Sequence, residues 1–265
     1  MRVPFTKMEG LGNDYVFVDG IRTAMPIAQA PEYARRWSDR HFGIGADGLI
    51  VLLGGGTAPL RMAMWNADGS RGAMCGNGLR CLARFAAAAG HVSDRAFTIE
   101  TDAGPRRVEL LDGDLVRAWM GDVRTTASKR VRVGTQDLVL VPGDAGNPHA
   151  VLFVDDTEHA DVKGLGAALQ HHAEFPDGVN VEFVQRLAAD RLRQRTFERG
   201  SGETRACGTG AAVAAVAARA AGLVHGTTTT VELRGGVLRV VGSGATLAIE
   251  GPGRTVFSGE IDVAV

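Results

Sequence analysis

Two alanine-rich segments are apolar around almost their whole circumference, and this constrains the fold more than any other feature of the chain. Between Ala211 and Ala221 only Arg219 is charged, and between Leu79 and Ala89 only Arg80 and Arg84 are charged. A helix that is apolar on all sides must be buried, most simply inside a strongly curved sheet. The two segments therefore predict two cores, each built around one helix.

The segments belong to a longer internal duplication with an offset near 133 residues. The stretch from Asn66 to Gly76 matches the stretch from Glu198 to Gly208 without a gap. Two further landmarks recur, namely Gly12-Asn13 as Gly146-Asn147 and Gly45 as Gly178. Such a repeat predicts two similar domains, and we expect the chain to cross from one to the other near residues 120–128.

Short β-rich runs and one outer helix complete each repeat. In the first half the pattern predicts strands at 3–8, 15–19, 49–53, 60–65, 97–101, 107–111 and 115–120. The outer helices are predicted at 31–40 and 162–171, the central helices at 79–89 and 211–221, and a C-terminal strand at 255–263.

Composition excludes several classes of partner. Lysine and arginine number 29 against 30 acidic residues, and the basic pairs are scattered, which disfavours nucleic acid and anionic membranes. We find no signal-peptide pattern and no run of eighteen apolar residues, so we expect a soluble cytoplasmic protein. Three cysteines in a chain of 265 residues favour reduced thiols, with Cys81 packed in a core.

The two remaining cysteines each stand directly before a central helix. The segments are Cys75-Gly76-Asn77-Gly78 and Cys207-Gly208-Thr209-Gly210. Either cysteine alone could be a small core hydrophobe, but a matched pair favours a shared task. Backbone N–H groups at Gly76, Asn77, Gly208 and Thr209 could hold a substrate carboxylate, while one thiolate removes an α-proton and the other thiol returns one on the opposite face.

Other polar residues at duplicated positions suit the two ends of an amino-acid substrate. His149 and Glu198 are the natural groups to make one cysteine a thiolate and the other a thiol. Carboxamides donate to carboxylates and accept from ammonium groups, and arginine binds carboxylates through two donors. The predicted substrate contacts of this kind are Asn13, Asn66, Asn147, Asn180 and Arg199.

The sequence gives no support for a dinucleotide site or a metal site. The spelling Gly43-Ile44-Gly45-Ala46-Asp47-Gly48 fits a dinucleotide fingerprint, but it follows a helix and precedes a strand, which reverses the required context. The seven histidines form no cluster with metal-ligand spacing. We therefore predict no cofactor and no metal.

The chain resembles the diaminopimelate epimerase family from about Gly10 to Glu260. The resemblance is carried by the following segments: Gly10 to Asp14, Asn66 to Ser70, Cys75 to Gly78, Gly146 to His149, Gly178 to Asn180, Glu198 to Thr204 and Ala206 to Gly210. Some members carry glutamine at the position of Gly48 and methionine at that of Ala145, which leaves a substrate contact near residue 48 in doubt.

The resemblance implies an α+β fold with two pseudo-symmetric domains, each a curved, mostly antiparallel sheet or barrel around a central helix. It assigns residues 1–118 and 254–265 to one domain and 119–253 to the other, with the active site between them. It further implies a homodimer that interconverts LL- and meso-diaminopimelate without a cofactor, for lysine and peptidoglycan synthesis. Cys75 and Cys207 would be the two bases, and the substrate contacts would be Asn13, Asn66, Asn147, Asn180, Glu198 and Arg199, the arginine at the distal carboxylate.

Two alternatives remain open at this point. A related two-thiol racemase could act on proline, hydroxyproline or histidine, although a short substrate would leave polar groups unpaired. A catalytically silent amino-acid-binding module is the other alternative, and the paired cysteines argue against it.

Overall fold

The computed structural model describes residues 1–243 and 247–263, and it divides the chain into two compact units. One unit comprises Met1–Ala118 and the C-terminal segment from Gly251, and the other comprises Trp119–Glu250. The elements up to the first boundary are β1 (Arg2–Gly10), β2 (Asn13–Asp19), α1 (Ala30–Ser38), β3 (Gly48–Gly54), β4 (Leu60–Asn66), β5 (Arg71–Gly72), α2 (Gly76–Ala88), β6 (Ala96–Glu100), β7 (Arg106–Leu110) and β8 (Leu115–Gly121). The remaining elements are β9 (Arg124–Thr125), β10 (Lys129–Val133), β11 (Gln136–Asp144), β12 (Pro148–Phe153), α3 (Val162–Gln170), β13 (Asn180–Ala188), β14 (Arg191–Glu198), β15 (Gly202–Thr204), α4 (Gly208–Ala220), β16 (Thr228–Leu233), β17 (Gly236–Val241), β18 (Leu247–Pro252) and β19 (Arg254–Asp262).

Strand pairing follows the same order in both units. In the first unit β19, β1 and β2 pair antiparallel, β2 with β3 parallel, β3 with β4 antiparallel, β4 with β6 parallel, and β6, β7 and β8 antiparallel. In the second unit the same sequence of pairings joins β10, β11, β12, β13, β14, β16, β17 and β18. The C-terminal strand β19 therefore takes the place in the first unit that β10 takes in the second.

The four helices of eight or more residues in the described part of the chain all lie in parallel crossovers. Strands that pair in parallel cannot be joined by a tight turn, so a helix commonly bridges them. Helices α1 and α3 bridge the first parallel pair of their units, and α2 and α4 bridge the second. Helix α2 contacts β1, β2, β3, β7 and β19, and α4 contacts β9, β11, β12, β13, β14, β16 and β17. Strands therefore cover several sides of each helix, which buries its apolar circumference.

Strands β3 and β13 are buried on both faces because a helix covers each face. In β3, Leu49 and Val51 pack in the core cluster with Trp37 of α1, whereas Ile50 points at the first turn of α2. Strand β13 repeats this arrangement, with Val181 and Phe183 in the cluster that includes Leu169 of α3. A polar residue on the inner face of either strand is consequently sealed from water.

The β1–β2 turn places the first of the predicted asparagines. Leu11 and Gly12 have φ values of 58° and 77°, and Gly10 pairs with Asn13 across the turn. Two successive left-handed residues make the tight hairpin turn whose twist matches that of the strands. Asn13 is therefore the first residue of β2, held at the end of the hairpin.

The predicted α+β class is confirmed, and the predicted elements differ from the observed ones mainly at their ends. The central helices begin at Gly76 and Gly208, each three residues earlier than expected. Within residues 1–243 and 247–263, no helix has the length and apolarity that a membrane span needs.

Candidate active site

Each of the two duplicated cysteines caps the helix that follows it. Cys75 is extended, with φ −132° and ψ 123°, and the N–H of Gly78 donates to its Sγ at 3.5 Å. Cys207 is extended as well, with φ −117° and ψ 110°, and the N–H of Gly210 donates to its Sγ at 3.4 Å. The helices begin earlier than their apolar runs because the sulfur takes the place of the usual capping oxygen. An N–H donor and a helix N-terminus both favour the thiolate form.

Glycine at the third helical position lets a strand approach this turn. A Cβ at Gly78 would lie 2.5 Å from Cδ1 of Ile50, and a Cβ at Gly210 would lie 2.4 Å from Oε1 of Glu182. At either position a Cβ could be accommodated only if the facing side chain moved. The second glycine of each cysteine motif thus serves packing, and it brings the inner face of β3 or β13 directly beneath the turn that bears the thiol.

In the first unit the Cys75 thiol faces an oriented carboxamide. The Sγ of Cys75 lies 3.3 Å from Oδ1 of Asn13, which also accepts from Nδ2 of Asn77 at 3.4 Å. The other end of the Asn13 carboxamide donates to Oδ2 of Asp47 at 2.6 Å, and Arg40 pairs with Asp47 at 2.9 Å. A carboxylate can only accept, so Asp47 turns the carbonyl oxygen of Asn13 toward the thiol.

Asn66 is the last residue of β4. Its Nδ2 donates to Oγ of Ser70 at 2.9 Å, and its register partner on β3 is Gly48. A Cβ at Gly48 would lie 2.2 Å from the carbonyl oxygen of Trp65. This backbone leaves no room for the glutamine that some family members carry at this position.

In the second unit a fully buried pair stands beneath the Cys207 turn. Nδ1 of His149 lies 2.8 Å from Oε1 of Glu182, and both side chains are 0% exposed. Nε2 of His149 lies 3.0 Å from Oδ1 of Asn147. A carboxamide oxygen accepts only, so this orientation of Asn147 requires a proton on Nε2. His149 therefore contacts Glu182 and Asn147, and Glu198 accepts from the hydroxyl of Thr204.

Asn180 and Arg199, two predicted substrate contacts of this unit, are hydrogen-bonded to backbone groups. Nδ2 of Asn180 donates to the carbonyl oxygen of Pro148 at 2.9 Å, and its Oδ1 accepts from the N–H of Arg199 at 3.0 Å. The exposed guanidinium of Arg199 donates to the carbonyl oxygen of Asp177 at 3.2 Å. Oγ1 of Thr209 lies 3.4 Å from the Sγ of Cys207.

Burial and neighbouring carboxylates act on the titratable groups. Burial raises the pKa of Cys207 well above its ordinary value, and the charges of Glu198 and Glu182 raise it further. Burial also raises the pKa of Glu182, against the opposing effect of His149. In the first unit burial and the Cys75 sulfur raise the pKa of the Tyr15 phenol, which is hydrogen-bonded to Cys75.

Sequence reasoning did not assign functional roles to four residues beside the thiols. They are Tyr15, Asp47, Arg80 and Glu182. Glu182 interrupts the apolar run of β13, and Arg80 interrupts that of α2, which is the signal that could have pointed to them. Their proximity to the thiols depends on strand pairing and burial, which no local pattern reveals.

Among the described residues, no group of three or more histidine, cysteine, aspartate or glutamate side chains has an arrangement that could hold a metal ion.

Solved structures with similar backbones define the class of fold. A phenazine biosynthesis protein of the PhzF family from Bacillus anthracis has a TM-score of 0.80 at 13% identity, covering 99% of this chain and 100% of that one. A hydroxyproline epimerase from Agrobacterium vitis has a TM-score of 0.74 at 17% identity, covering 98% and 92%. The fold is thus the one shared by these proteins, and at such identities the likeness concerns the fold alone.

Sequence similarity identifies the family within this class. The family model for diaminopimelate epimerase matches residues 5–126 and 143–249. The chain is 42% identical over 275 residues to a diaminopimelate epimerase of Geobacillus kaustophilus, covering 96% of this chain and 95% of the relative. It is 37% identical over 284 residues to that of Leptospira biflexa, covering 99% and 100%. The chain belongs to the diaminopimelate epimerase family, which confirms the resemblance inferred from its motifs.

Proposed function

We propose that this chain is an isomerase that interconverts LL- and meso-diaminopimelate by proton transfer at one α-carbon. Membership of the diaminopimelate epimerase family supports the substrate. The observation that carries the mechanism is the pair of equivalent thiols, each at the N-terminus of a buried helix and each accepting an N–H from the third helical residue.

The proton transfers balance without a cofactor. One thiolate takes the α-hydrogen, so that an S–H bond forms while the C–H bond breaks and its electron pair spreads into the adjoining carboxylate. The other thiol then gives its proton to the opposite face of the same carbon, and its sulfur is left as thiolate. The chemistry ends with the configuration inverted and the ionisation of the two cysteines exchanged.

Stabilisation of the enolate-like intermediate is the most demanding requirement. A thiolate is a far weaker base than the α-carbanion, so the developing charge must meet preorganised donors. We assign this role to backbone N–H groups at Gly76, Asn77, Gly208 and Thr209, because the N-terminal amides of a helix have no intrahelical acceptor.

The asparagines and Arg199 are assigned to the amino-acid groups of the substrate. Asn13, Asn66, Asn147 and Asn180 offer carboxamides, and Arg199 offers an exposed guanidinium suited to the distal carboxylate. His149 and Glu198 are assigned to the ionisation of the thiols, and the charge of Glu198 raises the pKa of Cys207.

The function is tested by proton exchange. Reduced protein is incubated with LL-diaminopimelate in deuterated water, and α-deuterium and meso product are followed together. We expect deuterium at one α-carbon of the product. Absence of exchange with thiols confirmed as reduced would refute the substrate, and L-proline and trans-4-hydroxy-L-proline in the same assay would then identify the rival racemase. Tight binding of diaminopimelate without exchange would indicate a binding module.

The third cysteine provides a matched control for the two-base assignment. Cys75→Ala and Cys207→Ala are each expected to abolish epimerisation while the far-ultraviolet circular dichroism stays unchanged. Cys81→Ala removes a thiol that is 0% exposed and lies on the same helix as Gly76 and Asn77, and it should retain activity. Substantial activity in either of the first two variants would refute the two-base mechanism.

The remaining expectations concern setting and assembly. We propose that the enzyme contributes to lysine and peptidoglycan synthesis in the cytoplasm and works as a homodimer, as the family resemblance implies. We also propose that residues 1–118 with the C-terminal strand, and the residues between them, are the two epimerase domains. Sedimentation equilibrium of the active protein tests the dimer, since a monomer with full activity would contradict it.

A further inference from the structure

The proposed mechanism needs one thiolate and one thiol, yet the backbone treats the two cysteines alike. Both sulfurs cap a helix of the same length and accept an N–H from the third helical residue, at 3.5 Å for Cys75 and 3.4 Å for Cys207. The effect of the helix N-terminus is therefore common to both sites. Whatever distinguishes the thiols must come from side chains around them.

The matched strand registers show which side chains differ. Val16 pairs with Leu49 in the first unit as Ala150 pairs with Val181 in the second, so Ile50 and Glu182 occupy equivalent positions. Both side chains contact the glycine at the third position of the helix that follows the cysteine. On the helices themselves, Arg80 is equivalent to Ala212, because each lies five residues after its cysteine. The first difference places the carboxyl group of Glu182 beneath the Cys207 turn, and the second places the cation of Arg80 beside the Cys75 turn.

Arg80 is a buried cation beside the first turn of α2. Its side chain is 0% exposed, and its donors reach the carbonyl oxygen of Gly76 at 3.3 Å, Oδ1 of Asn77 at 2.8 Å and the carbonyl oxygen of Pro252 at 3.2 Å. These partners are neutral oxygens. A guanidinium retains its proton in proteins, so the positive charge persists beside the turn that bears Cys75.

Glu182 places acidic oxygens beneath the equivalent turn of α4. Its carboxyl group is fully buried, its Oε1 bonds to His149, and its Oε2 has no hydrogen-bond partner among the described residues. The absent Cβ of Gly210 leaves Oε1 in contact with this turn. A thiolate at Cys207 would therefore form next to an acidic group that water cannot screen.

Three other titratable groups lie around Cys75 and Arg80, namely Tyr15, Asp47 and Glu9. The Tyr15 hydroxyl is hydrogen-bonded to Cys75 and favours the thiolate as a donor. The Asp47 carboxylate is paired with Arg40 at 2.9 Å, and Glu9, whose charge faces Arg80, is paired with Arg254 at 3.7 Å. The oxygen of Asn13 favours the protonated sulfur, but a thiol is a weak donor and this oxygen belongs to a neutral group.

The charged groups that act on Cys207 are Glu198 and Glu182. Both carboxyl groups oppose ionisation of the thiol, and His149 is bonded to Glu182. Solvation acts in the same direction, because Cys75 is half-buried whereas Cys207 is 5% exposed. A more exposed sulfur carries a charge at lower cost.

We propose that buried Arg80 and buried Glu182 set the order of ionisation, so that Cys75 rests as the thiolate and Cys207 as the thiol. This inference deepens the proposed function and rests on it for its catalytic meaning. In the resting enzyme Cys75 then takes the α-hydrogen, and the proton that Cys207 already carries goes to the other face of the carbon. Arg80 and Glu182 act through the sulfurs and are positioning residues.

The order is tested by alkylation without substrate. Reduced protein is treated briefly with iodoacetamide across a range of pH, and modification at Cys75 and Cys207 is measured separately by peptide mass spectrometry. The readout is the pH of half-maximal rate at each site, because this midpoint reports ionisation whereas the absolute rate also depends on exposure. We expect the midpoint of Cys75 to lie at least about one pH unit below that of Cys207. Equal midpoints, or the reverse order, would overturn the proposal.

Substitutions test the two residues separately. Glu182→Gln keeps the shape of the side chain and an oxygen for His149, and it should raise the alkylation rate of Cys207 near neutral pH about tenfold, equivalent to one pH unit. Arg80→Met should raise the midpoint of Cys75, and Arg80→Lys should restore it in part. The control Glu232→Gln alters a carboxylate that pairs with Arg193 at 3.0 Å elsewhere in the second unit, and it should leave both midpoints unchanged.

These outcomes are independent of the substrate assignment. Unchanged Cys207 reactivity in Glu182→Gln would overturn the role of Glu182 even if Arg80→Met failed to fold. The expected titration in a protein that does not epimerise diaminopimelate would refute the proposed function and leave the order of ionisation intact. An active epimerase with the reverse order would overturn this inference alone.

Discussion

Replacing Gly210 by alanine should destabilise the protein, although alanine is the better helix former. The new methyl group would lie 2.4 Å from Oε1 of Glu182 and 3.0 Å from its Cδ and Cγ. Glu182 is sealed from water and bonded to His149 at 2.8 Å, so it cannot turn away without losing that bond. The substitution therefore forces either overpacking or the loss of a buried hydrogen bond.

The expected magnitude follows from these alternatives. Overpacking a buried site costs about 1–3 kcal/mol, and losing a hydrogen bond to a charged group costs about 1.5–3 kcal/mol. The higher helix propensity of alanine offsets about 1 kcal/mol of this cost. We therefore expect the free energy of unfolding to fall by about 1–2 kcal/mol, measured by urea unfolding with an unchanged m value.

Two comparisons make this prediction refutable. In Gly208→Ala, in the same helical turn, the new methyl would meet only Cδ1 of Ile249 at 3.0 Å, the movable end of a side chain, so its stability should stay within about 1 kcal/mol of the wild type. In a Glu182→Ala background the Gly210→Ala change should become neutral or stabilising, because the clash is gone. If Gly210→Ala were as stable as Gly208→Ala, or its cost persisted without the Glu182 carboxylate, the reasoning would be wrong.

Two further predictions concern carboxylates of the first unit. Asp47→Asn should lower kcat/KM for diaminopimelate by roughly 10–100-fold in steady-state kinetics, because the orientation of the Asn13 carboxamide is lost. The control Asp102→Asn alters a carboxylate that is paired with Arg71, and its kcat/KM should match that of the wild type. The pKa of Glu100 is lowered to about 2, mainly by the Thr57 hydroxyl and then by N–H donors of the same loop, so its contribution to stability is complete above the ordinary pKa of about 4.3 and is lost as the pH falls through 2. An NMR titration of the Glu100 carboxyl should show this low midpoint, accompanied by changes in the amides of residues 56–58, whereas a midpoint near 4.3 would contradict the assignment.

Local patterns predicted the elements because the burial of this chain follows its periodicity. The helix from Gly208 to Ala220 was expected from its apolar circumference, but it begins three residues earlier than that pattern indicates. The sulfur of Cys207 caps the helix, and Gly208 and Gly210 carry no apolar side chain that would reveal the first turn. A hydrophobic pattern cannot detect a turn that is made by a cap.

The sequence pointed to the residues of the repeated motifs and passed over the residues beside them. The cysteines and asparagines stand out because they recur in both halves of the sequence. Glu182 does not recur, since its equivalent is Ile50, and the same holds for Arg80 and Ala212. A search for repeated residues passes over the positions where the two halves differ, which are the positions that can distinguish two similar thiols.

The sequence alone therefore determined the duplication, the two buried helices, the thiol at the start of each and the family. All of these depend on residues near one another in the chain or on a simple repeat. The tertiary structure alone decided that β19 pairs with β1 in the first unit and that His149 meets Glu182, 33 residues away, across a parallel strand pair. Parallel pairing and a covering helix create these contacts, and they also remove water from them, which gives Arg80 and Glu182 their influence on the neighbouring sulfurs.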